Sequence, residues 1–286
     1  MGRAYAAPPS LRTGKGAGRT GQRPHMTDPF VEFSGLTVEY PSKEGPVHAL
    51  DAIDLAFSAG DFVCIVGPSG CGKTTLLQTL AGFIRPTRGS VTLAGEPITG
   101  PGPDRGVVFQ QPALFPWMSV IENAGFGPMV RGLGGERREK IEHYLRLVGL
   151  WDFRNRYPYQ LSGGMQQRLA IVRALVNDPK VLLMDEPFGA LDALTREKMQ
   201  EELHAVWRRT QMTVVFITHS VEEAVYLGTE VVVMSPRPGR ILDRISVAYS
   251  RASAERDDIR AIKASPDFVA TRERILGLIW ATAGEM

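Results

Sequence analysis

The segment Phe62–Leu77, FVCIVGPSGCGKTTLL, constrains this chain more than any other. Phe62 to Val66 is a short apolar run rich in β-branched residues, which predicts a buried strand. It runs into Gly67-Pro68-Ser69-Gly70-Cys71-Gly72-Lys73-Thr74, filling every fixed position of GxxxxGK[ST]. Behind it, Thr74 to Leu80 has the apolar spacing of an opening helix. Glycines let the backbone curl so that successive N–H groups converge on phosphate oxygens. The helix N-terminus, with Thr75 in its first turn, adds partial positive charge. Lys73 supplies a mobile cation for the β- and γ-phosphates, and Thr74 offers a hydroxyl to Mg²⁺. A glycine-rich turn can be only a turn. With the strand before it and the helix behind it, the expected ligand is a nucleoside triphosphate.

Composition narrows the setting. The 286 residues are 43% hydrophobic and 22% charged, ordinary for a globular α/β protein. A net charge of +2 gives no electrostatic case for nucleic acid. The only cysteines, Cys64 in the strand and Cys71 in the loop, suggest neither a disulfide nor a metal site. No apolar run approaches the ~18 residues of a membrane span, so the expectation is a soluble, cytoplasmic catalytic domain. Residues 1–26 are different: five basic residues and no acid, among Gly, Pro, Ser and Ala. Such a segment cannot fold alone, and a disordered extension is expected. It lacks the apolar core of a signal peptide. A basic tail could touch a membrane or RNA, but a solvated tail is the simpler reading, and Met26 is a candidate start.

From residue 27 onward the pattern is that of one folded domain. Phe30, Val31, Phe33, Leu36, Val38 and Tyr40 predict strands with a turn near Gly35, and Ala49 to Phe57 another. Tyr40, at a strand end ahead of the phosphate loop, is either an edge-packing aromatic or a platform for an adenine ring. Ser90 to Leu93 and Gly106 to Phe109 predict further strands, the second delivering Gln110. A glutamine there can reach Mg²⁺ or an attacking water; Gln111 is adjacent, and register favours Gln110. About residues 112–179 form an inserted helical block, in which Glu136 to Val148 has a one-sided apolar face. About residues 250–286 form a C-terminal helical extension, with Phe268, Ile275, Leu278 and Ile279 on one side of a helix over Pro266 to Ala281.

Val181 to Glu186 is an apolar strand ending in two acids. Beside a phosphate loop, Asp185 would hold Mg²⁺ and Glu186 would stand where a water attacks the γ-phosphate. Val214 to Thr218 predicts a buried strand with His219 just past its end. A lone histidine there can be no more than a polar strand end. Ligands of open α/β sheets, however, sit at the carboxyl ends of strands, the edge shared by Gly67, Gln110, Asp185 and His219.

Leu161-Ser162-Gly163-Gly164-Met165-Gln166-Gln167-Arg168 decides among phosphate-loop families. It resembles the LSGGQ signature of the ATP-binding cassette (ABC) ATPases, with Met165 in place of the usual glutamine. The rest resembles that family in order: Tyr40 as the aromatic, Gln110 as the Q-loop, Asp185-Glu186 as Walker B, Ala190-Leu191-Asp192 as the D-loop and His219 as the switch histidine. The resemblance implies a P-loop NTPase core with an inserted helical subdomain and an N-terminal antiparallel β subdomain. It also implies ATP and Mg²⁺ sandwiched between two cassettes, Ser162, Gly163 and Gly164 of one closing on the γ-phosphate held by the other. A homodimer is expected, with Glu186 as general base and His219 on the γ-phosphate. Gly100 to Arg105, Phe115-Pro116-Trp117, Asp185 to Asp192 and Ser235 to Ile241 resemble the nitrate, sulfonate and taurine importers. That implies a transmembrane permease at the cytoplasmic face of the inner membrane and, indirectly, a periplasmic or lipoprotein solute-binding protein. ABC ATPases of chromosomes or ribosomes are the alternative, but they predict a long coiled coil or a second cassette.

Overall fold

In the computed structural model the chain enters as β1 (Val31–Tyr40), paired antiparallel with β2 (Val47–Phe57). Residues 29–43, 45–133, 135, 137–189, 191–247, 249–252 and 259–283 are described; the basic segment 1–26 lies outside them. The expected turn at Gly35 is absent. Gly35 sits inside β1 at φ 55°, its N–H bonded to Asp54 Oδ1 at 2.7 Å, and the register slips between Phe33 and Leu36. The glycine supplies a bulge in one continuous strand, not a break between two.

Next come β3 (Phe62–Val66), the phosphate loop and α1 (Lys73–Ala81). The strands β4 (Arg88–Leu93) and β5 (Glu96–Pro97) complete a four-stranded antiparallel sheet in the order β2-β1-β4-β5. After β6 (Arg105–Val108) the chain turns helical through α2 (Val120–Val130), α3 (Arg138–Leu147) and α4 (Gly163–Leu175). Ser119 and Glu122 form a reciprocal cap on α2, a legible S-x-x-E signal at its start. The core resumes with β7 (Val181–Asp185), α5 (Ala193–Thr210), β8 (Thr213–Ile217), α6 (Val221–Leu227), β9 (Glu230–Met234) and β10 (Ile241–Ser246). It closes with α7 (Tyr249–Ala252), α8 (Ile259–Lys263) and α9 (Pro266–Ala283).

The second sheet runs β10-β9-β3-β8-β7-β6, parallel except for β10. Its inner strands are buried on both faces, which is why they read as unbroken apolar runs. Alternation still sorts their side chains. Phe62, Cys64 and Val66 join Leu182, Met184, Val214 and Phe216 in a core covered by the helical block, α5, α6 and the fully buried Phe268 and Ile275 of α9. Val63 and Ile65 face the other way, with Val215 and Ile217, onto Leu76, Leu77 and Leu80 of α1 and onto the antiparallel sheet. One expectation shifts: the β6 strand stops at Val108, and Phe109 lies half-exposed against Phe83, ring centroids 6.2 Å apart. Because β3, β6, β7 and β8 are parallel, their carboxyl ends share one edge.

Candidate active site

The site begins where β3 ends. Gly72, at φ 100°, precedes the first residue of α1. A Cβ there would come within 2.7 Å of Leu50 Cδ2 and 2.8 Å of the Ala49 carbonyl, so only glycine lets the loop press against β2. The N-terminus of α1 has neither a side-chain cap nor an acid in its first turn. By contrast, α2, α4, α5 and α6 are capped by Ser119, Ser162, Asp192 and Ser220. The free N–H groups of α1 and its uncompensated dipole fit an anion, as polyphosphate requires.

Lys73 is 5% exposed. Its Nζ donates to the carbonyls of Gly67 at 2.9 Å and Pro68 at 3.0 Å, with Cys71 Sγ at 3.8 Å. The ammonium is thus held inside the curl of its own loop. The Cys71 thiol is buried, and burial pushes its pKa up, so this residue offers the site its backbone alone. Thr74 Oγ1 donates to Asp185 Oδ1 at 3.3 Å, and burial raises the Asp185 pKa against that bond. A hydroxyl beside a carboxylate is an oxygen donor pair that suits a hard divalent cation.

Glu186 follows Asp185 with φ 48°, a left-handed conformation costly for a side-chain-bearing residue. The turn is fixed by Glu186 N–H to Ile217 O at 3.0 Å and Gly189 N–H to Glu186 O at 3.1 Å. It swings the carboxylate off the strand axis and between two partners. His219 Nε2 lies 2.5 Å from Oε1, and Gln110 Nε2 donates to Oε2 at 3.3 Å. Tyr40, Ser69, Gly70, Lys73, Thr74, Thr75, Glu186 and His219 line one cleft of about 210 Å³, with Tyr40 hydroxyl 3.3 Å from Thr75 Oγ1.

Ser162, Gly163, Gly164 and Asp192 lie elsewhere; none lines that cleft. Ser162 caps α4, accepting from Met165 N–H at 3.3 Å, and Asp192 caps α5, accepting from Thr195 N–H at 3.1 Å. Gly164 lies against Thr195 and Leu191, so the two caps share a patch of surface. Ala190 falls outside the described residues.

Residues 50–189 match the model of the family described as "ABC transporter". The taurine import ATP-binding protein TauB of Roseobacter denitrificans is 52% identical over 256 residues, covering 89% of this chain and 95% of that protein. The chain belongs to the ABC transporter family. The corresponding TauB of Yersinia pestis biovar Antiqua is 47% identical over 252 residues, 88% of this chain and 97% of that protein. Among solved structures, the dimeric bacterial ABC transporter cassette MJ0796 has a TM-score of 0.68 at 32% identity, covering 76% of this chain and 98% of that one. The same cassette in a post-hydrolysis dimer with ADP and Pi has a TM-score of 0.67. This ABC ATPase therefore binds and hydrolyses ATP as the ATPase subunit of an importer. A cassette acting on DNA or ribosomes is not favoured.

Behind the cleft of this cassette lies a polar group that sequence reasoning missed. Glu223, on α6, is buried and bonded to Thr218, next to His219, and to Gln200 on α5. An acid four residues past a histidine in an amphipathic stretch reads as a solvated helix face, and only the tertiary fold turns it inward. Among the described residues no helix is long and apolar enough to cross a membrane.

Proposed function

We propose that the chain powers uptake of taurine or a closely related small sulfonate, as one of two cassettes beneath a separate permease. The observation that carries the solute is the roughly 50% identity to curated taurine import ATP-binding proteins along nearly their whole length. Two copies face each other head to tail, because the signature patch at Ser162–Gly164 lies apart from the cleft of its own chain. That leaves Ser162 and the α4 N-terminus to close on the γ-phosphate in the partner's cleft.

Within the cleft the roles divide by chemistry. The backbone from Gly67 to Thr74 cradles the phosphates, and Lys73 neutralises the β- and γ-phosphate charge. Thr74 and Asp185, with Gln110 at the far side, would hold Mg²⁺, which neutralises charge on the phosphates when bound. Glu186 takes the proton from the attacking water, and His219 holds Glu186 and reaches the γ-phosphate. With both carboxylate oxygens engaged, the base is pinned until one partner yields it to water.

Tyr40 offers its ring to adenine. Tyr40→Ala is expected to weaken ATP binding roughly 2- to 10-fold, with Tyr40→Phe near the native value. Titration with a fluorescent nucleotide checks this, and equal losses in both variants would assign the effect to the hydroxyl contact with Thr75 instead.

Permease docking falls on a groove of about 510 Å³ lined by Phe109, Phe115, Phe126, Val130 and Arg173. Trp117, 70% exposed, stands by it against Phe115 with ring centroids 5.6 Å apart. An exposed aromatic beside an apolar groove is the usual anchor of a protein interface. The cassette thus works peripherally, at the cytoplasmic face of the membrane, and meets the solute-binding protein only through the permease. The test is reconstitution of the cassette with its permease and binding protein in vesicles. Taurine is expected to stimulate ATP hydrolysis more than nitrate or an unrelated amino acid; stimulation by nitrate alone would move the solute to another branch of the group.

A further inference from the structure

His219 is half-exposed at a strand end and faces Glu186. A histidine so placed needs its backbone fixed if it is to hold a base in register. One flanking residue, Thr218, is bonded to a buried carboxylate, and the other, Ser220, is bonded to Thr218 and to the backbone of the same acid. Glu223 is 5% exposed. Its Oε2 accepts from Thr218 Oγ1 at 2.5 Å, and Thr218 Oγ1 in turn accepts the Ser220 N–H at 3.0 Å. Ser220 Oγ closes the ring by accepting the Glu223 N–H at 3.2 Å.

The other carboxylate oxygen reaches α5. Oε1 accepts from Gln200 Nε2 at 3.1 Å and lies 3.7 Å from Arg196 Nε. Arg196 Nη2 donates to the Leu191 carbonyl at 2.9 Å, in the turn next to Asp192. Lys263 of α8 donates to Gln200 Oε1 at 3.3 Å and pairs with Glu222 at 2.8 Å, so the C-terminal segment holds the same network from behind. Burial pushes the Glu223 pKa up, and the Thr218 bond and the Arg196 and Gln200 contacts work against that rise. For filling space alone, an apolar side chain would cost less than a buried acid.

We propose that Glu223 is a positioning residue for ATP hydrolysis: it fixes the 218–220 loop so that His219 meets Glu186, and ties that loop through Arg196 to the Leu191–Asp192 turn. The inference rests on the assignment of Glu186 and His219 above. A phosphate-side residue and the surface proposed to face the second cassette are then linked by one ion pair and the hydrogen bonds on either side of it. Movement of the Leu191 turn would be felt at His219 without passing through the nucleotide.

Steady-state ATP hydrolysis by the full chain tests this with Thr218→Val, Glu223→Gln, their double variant and His219→Ala. Thr218→Val keeps the side-chain shape and removes the hydroxyl, and with it both the bond to Glu223 and the acceptor of the Ser220 N–H. It is expected to lower kcat about 10-fold with the KM for ATP within about twofold, the signature of a group acting on the reaction and not on binding. The double variant should be no slower than the slower single, because both changes act on the same Thr218–Glu223 contact. A native kcat in Thr218→Val, or losses that multiply in the double variant, would overturn the proposal. So would lower thermal stability and a raised KM with kcat kept, which would make Glu223 purely structural. If His219→Ala abolishes turnover while Thr218→Val is native, this inference alone fails. If His219→Ala turns over normally, the histidine assignment beneath it fails.

Discussion

Glu186→Gln is expected to bind ATP within about twofold of the native affinity and to hydrolyse it at least about 10²-fold more slowly, the range of a lost general base. The change is close to isosteric. Glu186 Oε1 faces His219 at 2.5 Å and Oε2 accepts from Gln110 at 3.3 Å. A glutamine carbonyl can still accept from one of these, so the positive-φ turn at residue 186 has no new reason to open. What disappears is the ability to accept the proton of the attacking water. With hydrolysis stopped and binding intact, ATP should accumulate between two cassettes, and the chain should run as a dimer in light scattering with ATP and as a monomer without it. Single-turnover hydrolysis at saturating ATP separates this outcome from weak binding. Turnover near the native rate would reassign the base, with Asp185 the nearest other carboxylate in sequence. Tight binding without dimerisation would count against the head-to-tail arrangement while leaving the base in place.

How much of this was legible depends on the reach of each signal along the chain. The phosphate loop is eight consecutive residues, and strand, loop and helix each follow from the residues that form them. Asp185 and Glu186 are legible because an apolar run ending in acids is a local pattern, and because parallel strands must bring their ends to one edge. Gly35 misled because a glycine amid alternation signals a turn and a bulge alike. The outcome was settled by the partner strand, where Asp54 takes the free N–H. The left-handed backbone of Glu186 has no sequence signal, being imposed by the Ile217 carbonyl of the neighbouring strand. Glu223 was invisible for the same reason: its partners Gln200 and Arg196 lie 23 and 27 residues away, on a helix whose own pattern is mostly polar. Contacts within one turn or strand are legible from one sequence, but contacts between elements require the packing.

Lys73→Ala is the second large effect, and it should fall on binding. The ammonium sits 5% exposed between the Gly67 and Pro68 carbonyls and the Cys71 thiol. Hydrogen bonds to a charged group are worth ~1.5–3 kcal/mol, so the loss predicts an ATP Kd raised by roughly 10- to 150-fold. The same substitution removes the donor from two loop carbonyls, and a collapsed loop could mimic a lost charge. Nucleotide length separates the two explanations. A lysine aimed at the β- and γ-phosphates should cost ATP and ADP heavily and AMP little, whereas a collapsed loop should cost all three alike. Lys73→Arg adds a second arm. The guanidinium keeps the charge but is too broad and planar for the space between those carbonyls, so it should restore little of the affinity. Full restoration by arginine would mean that charge alone matters there. Undiminished ATP affinity in Lys73→Ala would take the phosphates away from this loop, and with them the roles given to Glu186 and His219 at its edge.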